Sequence, residues 1–348
     1  MTSPETACEN SPHTASYPPS HLGVQWNQLQ ARDLAGVAQL VKDCEDADRA
    51  LVRCEAHELV DLVEFCTGAR CGDAIVGRDH AGTVRAVAWV DITIGADRTA
   101  CARVNAFVDP ASRGRGIGRA VLKWQDRRAR QLLAKVAGGK RHGSSRVYNL
   151  VDAHVNERRR LYMAAGFSPQ RTFEVLNCQL PTPAPLTVDP LKEAADNGIR
   201  VQAWDPRRLA EVEALNYRVF DRNWGQQADT YQWWSRALQT CDERWSFIAL
   251  DEDDAVVGYI LTSRRPAQWI ATGQAEASGE LLGVDPKARG RGIARALLAS
   301  AMGAAQKCGA KSFTLAVDDN NAQRAHEFYR RMGFAAIGEQ VYYALDVN

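Results

Sequence analysis

Hydrophobic positions in the second half of the chain follow the two-residue period of strands and the wider period of helices. Apolar runs bounded by turn residues predict strands at 245–251, 255–264, 279–286, 311–318 and 339–347. Apolar residues at helical spacing predict a helix from Gly292 to Cys308, ended by Gly309, and a second helix at 322–332, ended by Gly333. Strands and helices that alternate in this order predict a mixed α/β sheet with a parallel crossover.

A fifteen-residue stretch occurs twice along the chain. It reads VDPASRGRGIGRAVL at 108–122 and VDPKARGRGIARALL at 284–298. The segments around it repeat in the same order, 24–41 with 201–217 and 160–167 with 327–334. Such self-similarity indicates a tandem duplication, so both halves are predicted to form the same kind of sheet.

Prolines at 181, 183, 185 and 190 lie between the two halves. Because proline removes a backbone donor and disfavours helix, residues 181–198 are predicted to form a linker. The polar residues 1–21 are predicted to be a disordered leader. The two domains are then expected at 22–180 and 199–348.

Composition narrows the classes of function. The 348 residues are 45% hydrophobic and carry a formal net charge of +1, which gives no general field for nucleic acid or an anionic membrane. No apolar run reaches the roughly 18 residues that a membrane span needs. The nine cysteines include no CxxC pair, and no signal peptide is recognisable. We therefore expect a cytoplasmic protein with reduced thiols, no metal site and no nucleic-acid or membrane partner.

The repeated stretch has the character of an anion-binding loop. Its second copy lies between a predicted strand and a predicted helix, where unpaired N–H groups meet the positive end of the helix dipole. Gly290 and Gly292 allow a ligand to approach the main chain, and Arg289 and Arg291 supply positive charge. These features predict a cradle for a pyrophosphate. A single copy would fit a helix start with solvated arginines equally well, but two copies in the same context favour binding.

The order of strand, Arg-x-x-Gly-x-Gly/Ala loop, helix, strand and a helix ending in Gly-Phe resembles the GCN5-related N-acetyltransferase (GNAT) superfamily. The tandem arrangement is most similar to the mycothiol synthase family. The resemblance implies two α/β domains, each a mixed, mostly antiparallel central sheet with flanking helices and a splayed parallel strand pair. It further implies acetyl-CoA as the cofactor and transfer of acetyl to the primary amine of a small molecule, by direct attack on the thioester.

The resemblance also implies which residues bind the cofactor. In the second half the backbone of Leu282 and Val284 would contact the acetyl group and pantetheine, and the phosphates would contact Arg289, Gly290, Arg291, Gly292, Ile293, Ala294 and Arg295. In the first half the backbone positions are Ala106 and Val108, and the loop residues are Arg113, Gly114, Arg115, Gly116, Ile117, Gly118 and Arg119. Asn321 is implied as a further pantetheine contact, in a motif one residue longer than the family's.

Two residues are candidates for proton transfer. Tyr329 occupies the position at which the family has the tyrosine that protonates the departing thiolate; the other interpretation is a core aromatic, a role that Phe328 already fills. Glu280 is the candidate base and, by the two-residue period, is expected on the strand face of Leu282 and Val284. The family's usual base position is Ser278, so a water relay or a merely solvated Glu280 are the open alternatives.

The first half departs from this pattern. Ala102, Val104 and Ala106 occupy the face that would carry the base, and Arg158 replaces a small residue four positions before Tyr162. We therefore expect acetylation in the second half. The first half would bind coenzyme or substrate, or only brace the structure.

The acceptor is predicted to contact the segment 216–234, which contains Trp224, Trp233 and Trp234; these side chains either line an acceptor pocket or pack the helices. Two alternatives to a small-molecule acetyltransferase remain: an enzyme acting on protein or peptide amines, and a non-catalytic acyl-CoA-binding regulator. Two intact pyrophosphate loops argue against an aminoacyl transferase that uses a tRNA donor.

Overall fold

The computed structural model describes residues 16–55, 58–59, 73–94, 100–137, 145–182, 189–220, 227–318 and 322–347. The chain divides into two compact units. Unit 1 holds the described residues up to Ile94, from Ala100 to Gln170 and from Val341 onward; unit 2 holds the others. Within the described residues, no helix is long and apolar enough to cross a membrane.

Unit 1 is a mixed sheet with helices on both faces. Its elements are β1 (Gln25–Gln28), α1 (Leu34–Asp48), β2 (Ala74–Arg78), β3 (Val84–Ile94), β4 (Ala100–Val108), α2 (Ile117–Ala137), β5 (Ser145–Asp152) and α3 (Asn156–Ala164). The strands lie in the order β1-β2-β3-β4-β5, and only β4 and β5 run parallel. Helix α1 buries Val37 and Leu40 on one face, and α2 buries Ile117 and Val121 on the other.

Unit 2 repeats this plan. Its elements are most of β6 (Ser168–Gln179), α4 (Pro190–Asp196), β7 (Arg200–Ala203), α5 (Leu209–Phe220), α6 (Gln227–Thr240), β8 (Phe247–Leu250), β9 (Val256–Arg264), α7 (Pro266–Thr272), β10 (Glu276–Val284), α8 (Ile293–Lys307), β11 (Ser312–Asp318) and α9 (Ala322–Arg331). The strand order is β7-β8-β9-β10-β11-β6, and only β10 and β11 run parallel. Helices α5 and α6 cover one face, and α8 covers the other. The predicted fold class is confirmed.

Each unit takes a strand from the opposite half of the sequence. In unit 2, β6 pairs with β11 from Phe173 opposite Asp318 to Gln179 opposite Ser312. In unit 1, the end of β12 (Ala335–Val347) lies next to β5, where Tyr343 is fully buried and the Tyr342 ring stacks on Tyr148 at 4.8 Å. The units therefore differ from the predicted domains 22–180 and 199–348, because the alternation of a strand does not specify which strand it pairs with.

Part of the predicted linker 181–198 is a helix. Pro190–Asp196 forms α4, with Pro190 at its start and the Asp189 side chain accepting a hydrogen bond from the Leu191 N–H. Proline is favourable there because the first helical N–H has no partner within the helix. Ala194 is fully buried in the unit 2 core. Residues 183–188 and residues 1–15 of the predicted leader lie outside the described part of the chain, and Ser20–Leu22 forms a 3-10 turn.

Candidate functional site

A gap opens beside β10 in unit 2. Strands β10 and β11 pair in parallel only from Glu276 opposite Ser312 to Gly279 opposite Leu315. A bulge between Gly279 and Leu281 then shifts the register of β10 against β9. Bulges bend a strand and increase its twist, so this one changes the direction of β10 where its pairing with β11 ends.

Two main-chain carbonyls of β10 face this gap. The N–H of Asp285 donates to the Val257 carbonyl over 2.9 Å, so Asp285 points its backbone polar groups towards β9. Alternate residues of a paired strand point these groups in opposite directions, and those of Leu282 and Val284 therefore point into the gap. No described side chain donates a hydrogen bond to either carbonyl. Among the described residues, the carbonyls at the predicted pantetheine positions are thus without a side-chain donor.

The glycine-rich loop of unit 2 follows this strand. Gly290 and Gly292 have φ angles of 82° and 78°, in the left-handed region that glycine adopts without strain. Gly292 is the N-cap of α8 and supplies no side chain to the free N–H groups of the first turn. Ile293 is buried beneath the loop, as predicted. A helix start with uncapped N–H groups, and with open space beside Gly290, fits a pyrophosphate.

The three arginines of this loop differ in their partners. Arg291 donates to the Asn197 carbonyl over 2.6 Å, and Arg295 pairs with Glu193 of α4 over 2.7 Å. Arg289 is exposed and makes no ion pair among the described residues. Two of the three arginines thus bind α4 or the residue after it. Arg289 is the arginine whose charge has no partner among the described residues and is available to an anion.

Tyr329 lies half-buried on α9, against the core of unit 2. Its ring centroid is 4.9 Å from that of Phe328 and 5.8 Å from that of Phe334. Burial raises the pKa of Tyr329 to about 12, and its hydroxyl has no hydrogen-bond partner within the described residues. The hydroxyl is therefore protonated at neutral pH, as an acid for a departing thiolate must be.

Glu280 does not lie on the face of Leu282 and Val284. It is the extra residue of the bulge: Leu282 and Val284 pack on the α8 side, and Leu281 on the side of α5 and α6. The predicted alternation is wrong here because a bulge interrupts the two-residue period. The Glu280 Oε1 accepts from the Ser263 Oγ over 2.5 Å and from Arg265 over 2.6 Å. Although burial opposes this, Arg265 and Ser263 lower the pKa of Glu280, so it is a carboxylate at neutral pH.

Polar side chains form a row across four strands on the face opposite α8. Ser263, Ser278, Thr314 and Asn177 are successive cross-strand partners on β9, β10, β11 and β6. The Asn177 Nδ2 donates to the Thr314 Oγ over 2.8 Å. Sequence reasoning did not find this row, because Asn177 reaches it only through the strand exchange. Serine and threonine within otherwise apolar strands were the available signal.

A second row lies beside the first. Glu276, Ser312 and Gln179 are successive cross-strand partners, and the Ser312 Oγ lies 3.4 Å from the Glu276 carboxylate. Burial raises the pKa of Glu276. This face therefore carries two carboxylates with opposite pKa shifts.

The tryptophans of α6 have different surroundings. Trp234 is buried, donates its Nε1 to Glu213 over 3.0 Å and packs edge-on to Tyr259, so it belongs to the core. Trp233 is half-buried and lies 6.1 Å from Phe173 of β6. Trp224 lies outside the described residues, as does Asn321. Of the two described tryptophans in α6, Trp233 is therefore the one that is not fully buried.

Unit 1 has a similar gap but with internal occupants. Strands β4 and β5 pair only from Cys101 to Arg103, and β4 has no bulge against β3. The N–H of Asp109 donates to the Arg85 carbonyl of β3. Because alternate residues of a strand point their backbone polar groups in opposite directions, the carbonyls of Ala106 and Val108 face the gap. Each accepts a hydrogen bond from an arginine, the Ala106 carbonyl from Arg158 over 2.8 Å and the Val108 carbonyl from Arg113 over 3.1 Å.

The loop of unit 1 has the expected backbone. Gly114 and Gly116 have φ angles of 76° and 89°, Ile117 is buried, and a Cβ on Gly118 would lie 3.3 Å from Leu161 of α3. Arg115 and Arg119 are exposed. Arg113, however, is also bound to both carboxylate oxygens of Asp48. The backbone of this loop thus matches that of unit 2, whereas the carbonyls beside it already accept hydrogen bonds from side chains.

Tyr162 also differs from its counterpart in unit 2. It is buried, and its hydroxyl accepts a hydrogen bond from the Asn149 Nδ2 over 2.6 Å. Burial raises its pKa as well. Its hydroxyl is therefore engaged in the core, whereas the hydroxyl of Tyr329 is not.

Known proteins resemble this chain both within unit 2 and over nearly its whole length. The Acetyltransferase (GNAT) family matches residues 209–334, which include the open gap, the loop and Tyr329 of unit 2. The chain is 28% identical over 340 residues to a mycothiol acetyltransferase of Salinispora tropica, covering 94% of this chain and 98% of that protein. It is 30% identical to a mycothiol acetyltransferase of Thermobispora bispora, covering 65% of this chain and 70% of that protein.

A solved structure shares the whole fold. The GCN5-related N-acetyltransferase of Sphaerobacter thermophilus superposes with a TM-score of 0.68 at 22% identity, covering 95% of this chain and 97% of that one. Both units are thus part of the shared architecture. With the loop, the open gap and these relatives together, the chain belongs to the GNAT family of acetyltransferases, enzymes whose cofactor is acetyl-CoA.

Proposed function

We propose that unit 2 transfers the acetyl group of acetyl-CoA to the primary amine of a small molecule. The observation that carries this proposal is the open gap at Leu282 and Val284, which runs from an uncapped glycine-rich loop to a face bearing two carboxylates. Acetyl-CoA supplies the activated thioester. The protein then has to orient it and to provide an acid and a base.

Cofactor binding is assigned to the main chain of unit 2. The N–H groups at the start of α8 would hold the pyrophosphate, with Arg289 as the neighbouring charge. The gap-facing groups of Leu282 and Val284 would bind the amides of the pantetheine arm as a neighbouring strand would. Asn321 remains a proposed contact on the basis of the family resemblance.

Tyr329 is proposed as the acid. With a pKa of about 12 it holds its proton throughout the neutral range, and its hydroxyl is not engaged by a described side chain. Its proton would pass to the departing thiolate sulfur. The structural alternative, a purely packing aromatic, does not account for a half-buried tyrosine whose neighbour Phe328 already packs there.

Glu280 is proposed as the base that takes the proton from the acceptor amine, directly or through one water. It is charged at neutral pH and therefore attracts an ammonium group, although Arg265 and Ser263 weaken its basicity. Glu276 lies on the same face with a raised pKa, closer to that of an amine. It is the second candidate, and the pair is separated by testing Glu280→Gln against Glu276→Gln.

The acceptor is proposed to bind on the face of the polar rows, between Trp233 and the carboxylates. Hydroxyl and amide groups on Ser278, Thr314 and Asn177 can donate and accept hydrogen bonds, which suits an amine that carries hydroxyl groups. Two of the relatives are named mycothiol acetyltransferase, and we propose a mycothiol-precursor-like amine or a natural-product amine as the substrate class here.

The test is release of CoA thiol from acetyl-CoA in the presence of a panel of small hydroxylated amines and, separately, of peptides with free N-termini. We expect turnover with a small amine and none with the peptides. Peptide acetylation alone would make the protein an N-acetyltransferase of protein or peptide amines. Binding of acetyl-CoA without turnover of any amine would favour a non-catalytic acyl-CoA-binding regulator.

A further inference from the structure

Guanidinium groups line the gap of unit 1. The Arg158 Nη2 donates to the Ala106 carbonyl over 2.8 Å, and the Arg113 Nε donates to the Val108 carbonyl over 3.1 Å. Positions two residues apart on a strand are separated by about 7 Å. The two arginines therefore cover the stretch of strand edge along which a pantetheine arm would bind.

Further contacts hold both arginines in place. The two terminal nitrogens of Arg113 donate to Asp48 over 2.5 and 3.0 Å, and Arg158 lies over the Phe107 ring at 5.7 Å from its centroid. A charge-assisted bidentate pair is among the stronger hydrogen-bonding arrangements in proteins. A ligand that displaced these arginines would have to break such contacts and leave Asp48 without its partner.

Neither occupant has a counterpart among the described residues of unit 2. Ala325 stands at the position of Arg158, and a methyl side chain donates no hydrogen bond. Arg289 stands at the position of Arg113 and is exposed, with no ion pair within the described part of the chain. The loops themselves are alike, so the difference between the units lies in the gap.

We infer that unit 1 does not take acetyl-CoA, and that Arg158 and Arg113 are the built-in occupants of its pantetheine gap. The chain then binds one acetyl-CoA, in unit 2, a location that rests on the proposed function. Unit 1 acts as a brace whose loop keeps the backbone of a cofactor site without the gap that would complete it.

Calorimetric titration of the full chain with acetyl-CoA tests the stoichiometry. Gly290→Val and Gly114→Val form a matched pair, because both glycines have a positive φ, 82° and 76°, and neither has an atom within 4 Å of an added Cβ. We expect one site in the wild type, one unchanged site in Gly114→Val and none in Gly290→Val. Circular dichroism and thermal unfolding show whether the two variants are equally folded.

Two sites in the wild type would overturn the inference while leaving the proposed function intact. So would a site in Gly290→Val that disappears when Gly114→Val is added. A wild-type chain that binds no acetyl-CoA would contradict the proposed function as well. The two failures are therefore distinguishable.

A second titration tests the occupants themselves in the Gly290→Val background. Arg158→Ala with Asp48→Asn gives unit 1 the alanine of unit 2 and releases Arg113 from its carboxylate. We expect this variant to gain a site. The control is Arg160→Ala, which removes an exposed guanidinium from the same helix and should gain none. A folded Arg158→Ala/Asp48→Asn variant that still binds nothing would overturn the role of the arginines.

Discussion

The two units of this chain share a strand order and a glycine-rich loop, but they differ in what occupies the gap beside the strand that precedes the loop. In unit 2, β10 has a bulge against β9, and no described side chain donates to the carbonyls of Leu282 and Val284. In unit 1, β4 has no such bulge, and arginines take the equivalent carbonyls. If unit 1 takes no acetyl-CoA, as we propose, a glycine-rich loop makes a cofactor site only where the neighbouring gap is open as well.

The tyrosines show the same contrast. Tyr329 presents a hydroxyl without a described partner, whereas the hydroxyl of Tyr162 is bound to Asn149 in the core. Two residues at matching positions of a repeat thus have different chemistry available to them. A duplicated fold can keep its packing while only one copy keeps the groups that catalysis needs free.

Substitutions in the exchanged strands β12 and β6 should have the largest effect, a loss of stability, and they test which unit each strand completes. Tyr343→Ala should cost about 3–5 kcal/mol of stability, since it removes a fully buried aromatic ring. The lost stability should be that of unit 1, although Tyr343 is near the C-terminus. Leu176→Ala is the reciprocal change in unit 2 and should cost about 2–5 kcal/mol.

Hydrogen exchange read by mass spectrometry locates the loss. Tyr343→Ala should deprotect β4 and β5, and Leu176→Ala should deprotect β10 and β11. If Tyr343→Ala deprotected β10 and β11 first, β12 would belong to the predicted C-terminal domain instead.

The tyrosine contrast predicts the next largest effect. Tyr329→Phe should lower kcat by roughly 100-fold or more, because it removes the proposed acid. Tyr162→Phe should change kcat less than about two-fold and instead cost about 1 kcal/mol of stability, since the Asn149 amide loses its acceptor. Steady-state kinetics and thermal unfolding measure both. Equal losses of kcat in the two variants would refute a division of labour between the units.

Substitutions of the loop arginines should have smaller effects, on acetyl-CoA affinity in unit 2 and on stability in unit 1. Arg289→Ala should weaken acetyl-CoA binding about ten-fold at low salt, equivalent to about 1.4 kcal/mol, because an exposed cation next to the cofactor phosphates is lost. Arg113→Ala should leave binding unchanged and lower the melting temperature, because Asp48 loses its partner. Calorimetry at two salt concentrations separates the cases, and a loss of affinity in Arg113→Ala would count against the built-in occupants.

The pH profile should show the smallest effect. With a pKa of about 12, Tyr329 is protonated below that pH, so kcat should have no alkaline limb below about pH 11. The lowered pKa of Glu280 means that its carboxylate form is lost only in acid, below its ordinary range. Any limb of kcat/KM between pH 6 and 9 should then belong to the acceptor amine or to Glu276, whose pKa is raised by burial, and should persist in Tyr329→Phe. A limb in this range that vanished in Tyr329→Phe would show that Tyr329 titrates near neutrality.

Local features of the site were predictable from the sequence. The glycine-rich loop at Gly290 and Gly292 and the helix that starts after it follow from short-range patterns. The face of Glu280 was not predictable, because a bulge changes the period of a strand without a clear signature in the surrounding residues. The role of Asn177 was not predictable either, since it depends on which strand β6 pairs with.

The amino-acid order determined the repeat, the type of each strand and helix and the two glycine-rich loops, because those depend on contacts between residues close in sequence. Tertiary structure decided that β6 and the end of β12 complete units belonging to the opposite halves of the sequence. It also decided that Arg158 reaches the Ala106 carbonyl across 52 positions, while no described side chain donates to the matching carbonyls of unit 2. Strand pairing and the contacts of the gap arginines bring together residues that are distant in sequence. The local sequence of a strand allows several partners, and only the packing of each unit selects one of them.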